Sequence, residues 1–269
     1  MRQHPASICY EAGKEAAMQT GIQISSLKPL LGSEAQVREA FFQVAGLGCS
    51  VVQLQWVHPS VPPDAIARAL RDAGLRSVSV QDTFEAVQNH RDYYFRLNAL
   101  TGGQWVCVSR VPEKLKSPAG LRQYADEIRA LMEEAREWGQ RVCFHPVAGD
   151  YAPIGGVCPV DYLLEQLPDL RLCLDLFHLH KAGYPMPAWI QAHGERIEMV
   201  HFKDEKGNVL CPAGQGDICW NGVVNVCLKA GISYAFVEQE AWDRSPYACL
   251  NEALAWLNNE IKHSLEAHA

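Results

Sequence analysis

Short runs rich in Val, Ile, Leu and Cys alternate along the chain with longer segments whose apolar residues recur every three or four positions. That alternation predicts parallel strands joined by crossover helices. Eight strands are expected: Ile22–Ser26, Ser50–Gln55, Arg76–Val80, Trp105–Ser109, Arg141–His145, Arg171–Asp175, Glu198–Phe202 and Tyr234–Glu238. The intervening helices carry recognisable starts and stops. Ser33-Glu34 opens one that ends near Gly46, Pro62-Pro63-Asp64 opens one closed by Gly74, and Ser117-Pro118 precedes Leu121–Trp138, closed by Gly139. In that last helix Tyr124, Ile128, Leu131, Met132, Ala135 and Trp138 share one face. Eight βα units in this length predict an α/β fold, a single-domain (β/α)8 TIM barrel spanning residues 21–262. Residues 1–20 read as an N-terminal extension, a helix or a loose tail, with Met18 as an alternative start, and 263–269 as a C-terminal tail.

Composition narrows the partners. With 24 Lys and Arg against 31 Asp and Glu, the net charge is −7 and the charges are scattered. A nucleic-acid partner is disfavoured, because phosphate-backbone binding needs clustered cations. Ten cysteines form no CxxC pair, and several sit inside strand-like runs as small hydrophobes do. No stretch has the length and apolarity of a membrane span, and Glu11, Lys14 and Glu15 interrupt the place a signal peptide would keep apolar. A reduced, cytoplasmic setting without a membrane partner is the expectation. Trp242 and the helix expected over Ala248–Ile261 offer an interface for a homo-oligomer.

Four of the apolar runs end in a metal-liganding side chain: His145, Asp175, His201 and Glu238, at intervals of 30, 26 and 37 residues. Each interval matches one strand, one helix and their loops, so a barrel gathers all four at the C-terminal ends of its strands. Two imidazoles and two carboxylates at one point are hard to bury without a cation to compensate them. The plainer alternative is that each ends a strand and hydrogen-bonds a neighbouring loop. One divalent metal ion is expected, Mn, Zn, Co, Fe or Mg. Glu238 is the first candidate for a base, since a monodentate ligand keeps one oxygen free for a proton. His145, Asp150 and Glu240 are candidates to return it. Lys203, two residues after His201, points to the same face and is placed to bind substrate or steady an enediolate oxygen; a salt bridge to Asp204, Glu205 or Glu240 is its alternative. His178 is placed to contact substrate or orient Asp175. Trp56 and His58, with Gln81 and Asp82, are positioned to line a sugar pocket.

Several spaced motifs carry a family resemblance. Gly21-Ile22-Gln23-Ile24, His145-Pro146, Asp175-Leu176-Phe177-His178, His201-Phe202-Lys203-Asp204, Gly214-Gln215-Gly216-Asp217-Ile218 and Val237-Glu238-Gln239-Glu240 resemble, in order, motifs of the sugar-phosphate isomerase/epimerase superfamily of xylose-isomerase-like TIM barrels. The resemblance implies one divalent cation that polarises a hydroxy-ketone. It also shows a departure: many members carry a proton-transferring Glu on the fifth strand, and His145 stands there here. A subgroup has histidine in an H-N-H-x-x-E-[FY] pattern, of which this chain keeps His145, an acid at Asp150 and Tyr151, with Val147 in place of the middle histidine.

The leading expectation is therefore a metal-dependent isomerase or epimerase of a small sugar, keto-sugar or polyol derivative, acting through an enediolate. A lyase on the same scaffold, of the keto-inositol or dehydroshikimate dehydratase type, shares the enolate step and differs in its fate. A non-catalytic sugar-binding barrel is the alternative outside enzymology. The Gly214–Gly216 loop is expected to let the backbone approach the substrate, and the absence of an Arg pair near the late strands favours an unphosphorylated one.

Overall fold

The computed structural model describes residues 18–267. The reading of residues 1–17 as an extension, with Cys9, lies outside them, as do residues 268 and 269 of the tail. Among the described residues ten strands occur: β1 Gln19–Gln23, β2 Val51–Gln55, β3 Arg76–Thr83, β4 Trp105–Ser109, β5 Arg141–His145, β6 Arg171–Asp175, β7 Ile197–Phe202, β8 Asp204–Lys206, β9 Val209–Cys211 and β10 Tyr234–Val237. The helices are α1 Glu34–Gly46, α2 Pro63–Asp72, α3 Phe84–Asn89, α4 Arg91–Thr101, α5 Pro118–Glu137, α6 Pro159–Gln166, α7 Leu176–Lys181, α8 Met186–His193, α9 Val223–Lys229 and α10 Pro246–Glu266. Eight strands close in the order β1-β10-β7-β6-β5-β4-β3-β2, while β8 and β9 form a separate antiparallel hairpin after β7. All barrel neighbours are parallel. This is the expected TIM barrel.

Local signals account for the helices. Ser117 Oγ accepts from Gly120 N at 3.0 Å to start α5, Pro118 fills its first turn, and Gly139 at φ +69° ends it. Tyr124, Ile128, Leu131, Met132 and Ala135 are buried as the periodicity predicts. Trp138 departs from that face: it lies past the helix end, 39% exposed, stacked on Phe95.

The first strand is displaced from its expected span. The chain leaves the sheet after Gln23 and turns into a 3-10 segment, Ile24–Leu30, although Ile24 and Leu27 remain buried. Alternating apolar residues there imitate a strand, but Ser25 and Ser26 send their hydroxyls to Glu238 and Gln239 instead of continuing it. β1 accordingly begins at Gln19, inside the stretch read as extension. At the other end α10 runs to Glu266, beyond the expected boundary at 262.

Inside the barrel an apolar plug of Val51, Val78, Trp105, Cys107, Cys143, Cys173, Met199 and Phe236 fills the N-terminal half. Gly21 makes room for it, since a Cβ there would stand 2.3 Å from Val51 O and 3.0 Å from the Phe236 ring. The period of two then fixes what lies above the plug. His145 follows Cys143, Asp175 follows Cys173, His201 follows Met199 and Glu238 follows Phe236, so each enters the interior at the C-terminal end.

Candidate metal centre and active site

His145 and Asp175 end β5 and β6, while His201 lies in β7 directly opposite Asp175 in register. Asp175 also caps α7: Oδ1 accepts from Phe177 N at 2.8 Å and His178 N at 3.2 Å. Its Oδ2 is buried without a hydrogen-bond partner, as are both ring nitrogens of His145 and Nδ1 of His201. One donor atom from each of the three residues lies within 4.8 Å of the others. Orphaned buried acceptors cost on the order of 1–3 kcal/mol each. A divalent cation satisfies all three together, so the donor set fits a metal.

The tautomer of His201 is set from below. Its Nε2 lies 2.5 Å from Gln53 Oε1, which also accepts from Gln23 Nε2 at 2.8 Å. With an amide oxygen as acceptor, Nε2 carries a proton, so Nδ1 is the nitrogen left with a lone pair for the cluster whenever the ring is neutral. Nδ1 stands 3.1 Å from Glu238 Oε2, at an angle that makes no hydrogen bond. Burial works against a charged ring, yet the Cys173 sulfur and the Glu238 carboxylate hold the His201 pKa well above its ordinary value.

Glu238, expected as a fourth ligand, stands outside the three-donor cluster. Its Oε1 accepts from Ser25 Oγ at 2.6 Å, and its Oε2 faces Lys203 Nζ at 3.4 Å. Lys203 is 4% exposed and also lies 3.8 Å from Asp175 Oδ2 and 3.2 Å from Glu240 Oε2. Burial alone would raise both carboxyl pKa values, but the ammonium holds Glu238 far below the carboxylate range, and with His145 and His178 nearby it does the same for Asp175. Burial depresses Lys203, and the carboxylates, Glu238 foremost, more than reverse this. The salt bridge to Glu240 that was the alternative role for Lys203 is therefore present, and the same buried ammonium also serves Glu238 and Asp175.

The remaining candidates take separate places. His178 sits at the rim, Nε2 3.8 Å from Asp175 Oδ2, with burial lowering its pKa. Glu240 is partly exposed beside Lys203. Asp150 is fully buried, and its two oxygens accept from Val111 N and Val147 N, so it holds the loop after β5. Trp56 is not in the metal cluster. It lines a cavity at the ends of β2 and β3, its ring under Lys28 Nζ at 4.4 Å.

Two groups escaped the sequence reading. Gln23, Gln53 and Gln55 are buried in two amide pairs, Gln23 with Gln53, which meets His201, and Gln55 with Gln81, the one of the four already read as a pocket residue. Polar residues at period two inside Val51–Gln55 were the available signal. Asp204 is the other: its carboxylate accepts from Glu205 N, Gly214 N, Gly216 N, Ile218 N and Trp220 Nε1 at 2.8–3.3 Å. The Gly214–Gly216 loop thus wraps this carboxylate, where a substrate approach was expected. A Cβ on Gly216 would lie 2.1 Å from Asp204 Oδ1. Trp220, tied to Asp204, precedes α9, which starts at Val223.

A family model described as xylose isomerase-like TIM barrel matches residues 2–260. In three dimensions the chain is similar to a sugar phosphate isomerase/epimerase from Parabacteroides distasonis, at 15% identity over 94% of this chain and 97% of that one, with a TM-score of 0.75. It is similar to the probable 3-DHS dehydratase involved in petrobactin synthesis from Bacillus anthracis, at 14% identity over 90% and 99%, TM-score 0.72. It is similar also to 3-keto-D-glucoside 4-epimerase from E. coli, at 15% identity over 90% and 99%, TM-score 0.65. At such identities these likenesses establish the fold. No curated protein sequence matches the chain. Because the family model runs through all eight barrel strands, the chain belongs to the xylose isomerase-like TIM barrel family.

Proposed function

We propose that the protein is a divalent-metal-dependent isomerase or epimerase of a small keto-sugar or polyol derivative, working through an enediolate. The observation that carries this reading is the set of orphaned donors on His145, Asp175 and His201, aimed at one point beside the Lys203–Glu238 pair. A cation held by those three residues would polarise a substrate carbonyl and offset the charge that develops on it. Glu238 takes the proton from the neighbouring carbon with Oε2, while the Ser25 hydroxyl on Oε1 fixes the orientation of the carboxylate. Lys203 keeps Glu238 ionised before the transfer and donates to the enediolate oxygen after it. Glu240, 3.2 Å from Lys203 and reachable from solvent, takes up a solvent proton and delivers it to the enediolate, while Glu238 releases the one it abstracted to solvent. His178 at the rim binds a substrate hydroxyl.

A dehydratase reading shares every step up to the enediolate, and its support is the dehydratase among the similar folds. Product mass separates the two, since isomerisation conserves mass and dehydration removes one water.

The test is elemental mass spectrometry on protein purified without a chelating tag. We expect about one equivalent of Mn, Zn, Co, Fe or Mg, lost in His201→Ala. Glu238→Gln should retain the fold and lose turnover on keto-sugars by about a thousandfold or more. No bound metal after incubation with these ions sinks the reading, and undiminished activity in Glu238→Gln removes the base.

A further inference from the structure

On the face of the barrel that carries the metal donors, the ends of β2 and β3 and the start of α4 enclose a cavity of about 490 Å3. Leu54, Trp56, Val80, Tyr93, Tyr94 and Leu97 make its walls mostly apolar and aromatic. Asp82 at its edge is already engaged: Oδ2 accepts from Tyr94 Oη at 2.6 Å and Oδ1 from Thr83 N at 2.7 Å. The Lys28 ammonium lies over the Trp56 ring, and among the described residues no carboxylate pairs with it. No arginine lines the space. Such walls suit a ring-bearing group and lack the bidentate guanidinium donors that hold a phosphate.

Trp56 holds φ at +56°. An L residue with a bulky side chain is strained there, and such strain persists where the surroundings over-determine it, often at ligand clamps. Gln55 and Gln81 belong both to this cavity and to the barrel interior. Gln81 Nε2 donates to Gln55 Oε1 at 3.3 Å, Gln81 Oε1 lies 3.8 Å from Cys173 Sγ, and that sulfur is 3.2 Å from His201 Nε2. Three side chains, Gln55, Gln81 and Cys173, thus lead from the aromatic wall to His201.

We propose that the substrate is a glycoside-like molecule. Its polyol part faces the metal donors across Gln55 and Gln81, and an apolar ring substituent occupies the cavity between Trp56 and Tyr93. The proposal deepens the carbohydrate reading above and rests on it for the polyol part alone.

The test uses metal-stripped protein, so that ring recognition is read apart from the metal chemistry. Calorimetry compares phenyl β-D-glucopyranoside with methyl β-D-glucopyranoside. We expect the phenyl glycoside to bind about tenfold tighter or better. Trp56→Gly, which suits the left-handed backbone, and Tyr93→Ala should each erase most of that preference. Equal affinity for the two glycosides overturns the proposal, as does a preference that survives both substitutions. Circular dichroism and metal uptake of the variants guard against misfolding. A protein that prefers the phenyl glycoside but takes up no metal keeps the cavity and loses the isomerase reading; bound metal without the preference does the reverse.

Discussion

At the scale of single residues the site is governed by Lys203. In metal-free protein Glu238 has a folded pKa depressed below the ~4.3 of an unfolded chain, so its contribution is present above that value and lost as pH falls through the folded one. Lys203 is raised above its unfolded ~10.4, so its contribution is present below that value and lost as pH rises through the folded one. Between about pH 5 and 10 both act in full. Lys203→Met leaves Asp175 and Glu238 buried without the ammonium, and burial then pushes their pKa values up. The variant should lose on the order of 3–5 kcal/mol at pH 8 and regain part of it toward pH 5 as a carboxyl takes up a proton. Urea unfolding at pH 5, 6.5 and 8 measures this. A slope like that of the unsubstituted protein would show that Lys203 does not hold these acids ionised.

Among the elements, the segment from the β8–β9 hairpin to α9 hangs on one carboxylate. Asp204 collects four backbone N–H groups and an indole N–H in a fully buried position. Asp204→Ala orphans them at roughly 1–3 kcal/mol for each one left buried, and a total near 3–5 kcal/mol is expected after relaxation. Gly216→Ala should destabilise by about 2 kcal/mol or more, because its methyl meets Asp204 Oδ1. Both should lower the thermal midpoint by several degrees. A Gly216→Ala protein as stable as the parent would mean that the loop closes without this contact.

For the molecule as a whole, the nine described cysteines are free, and five of them are buried in the barrel or under its helices. Burial raises the Cys49 pKa to about 12, which suppresses its thiolate although the residue is only partly covered. Among the described cysteines, a native-state thiol titration should therefore show exposed Cys219 reacting fast, with the five buried ones reacting only on unfolding. Reductant should leave the unfolding midpoint unchanged. Fast reaction of Cys107, Cys143 or Cys173 would indicate a barrel that opens readily. Among the described residues no helix is long and apolar enough to cross a membrane.

The sequence by itself determined the alternation of strands and helices, and hence the barrel. It also determined which strand ends carry His145, Asp175 and His201, because a period of two within short apolar runs fixes facing without knowledge of the rest. It misjudged β1, where Ile22 and Ile24 look alike locally and only the distant partners of Ser25 and Ser26 end the strand. Tertiary structure alone decided that Glu238 meets Lys203 and Ser25 outside the donor cluster, and that Asp150 is held by Val111 and Val147. It likewise decided that Asp204 anchors the glycine loop and that glutamines from three strands form two buried amide pairs. Each of these depends on the direction of a polar side chain relative to groups tens or hundreds of residues away. Local patterning tells which face a residue occupies, whereas closure of the barrel selects which of several neighbours on that face its polar atoms reach.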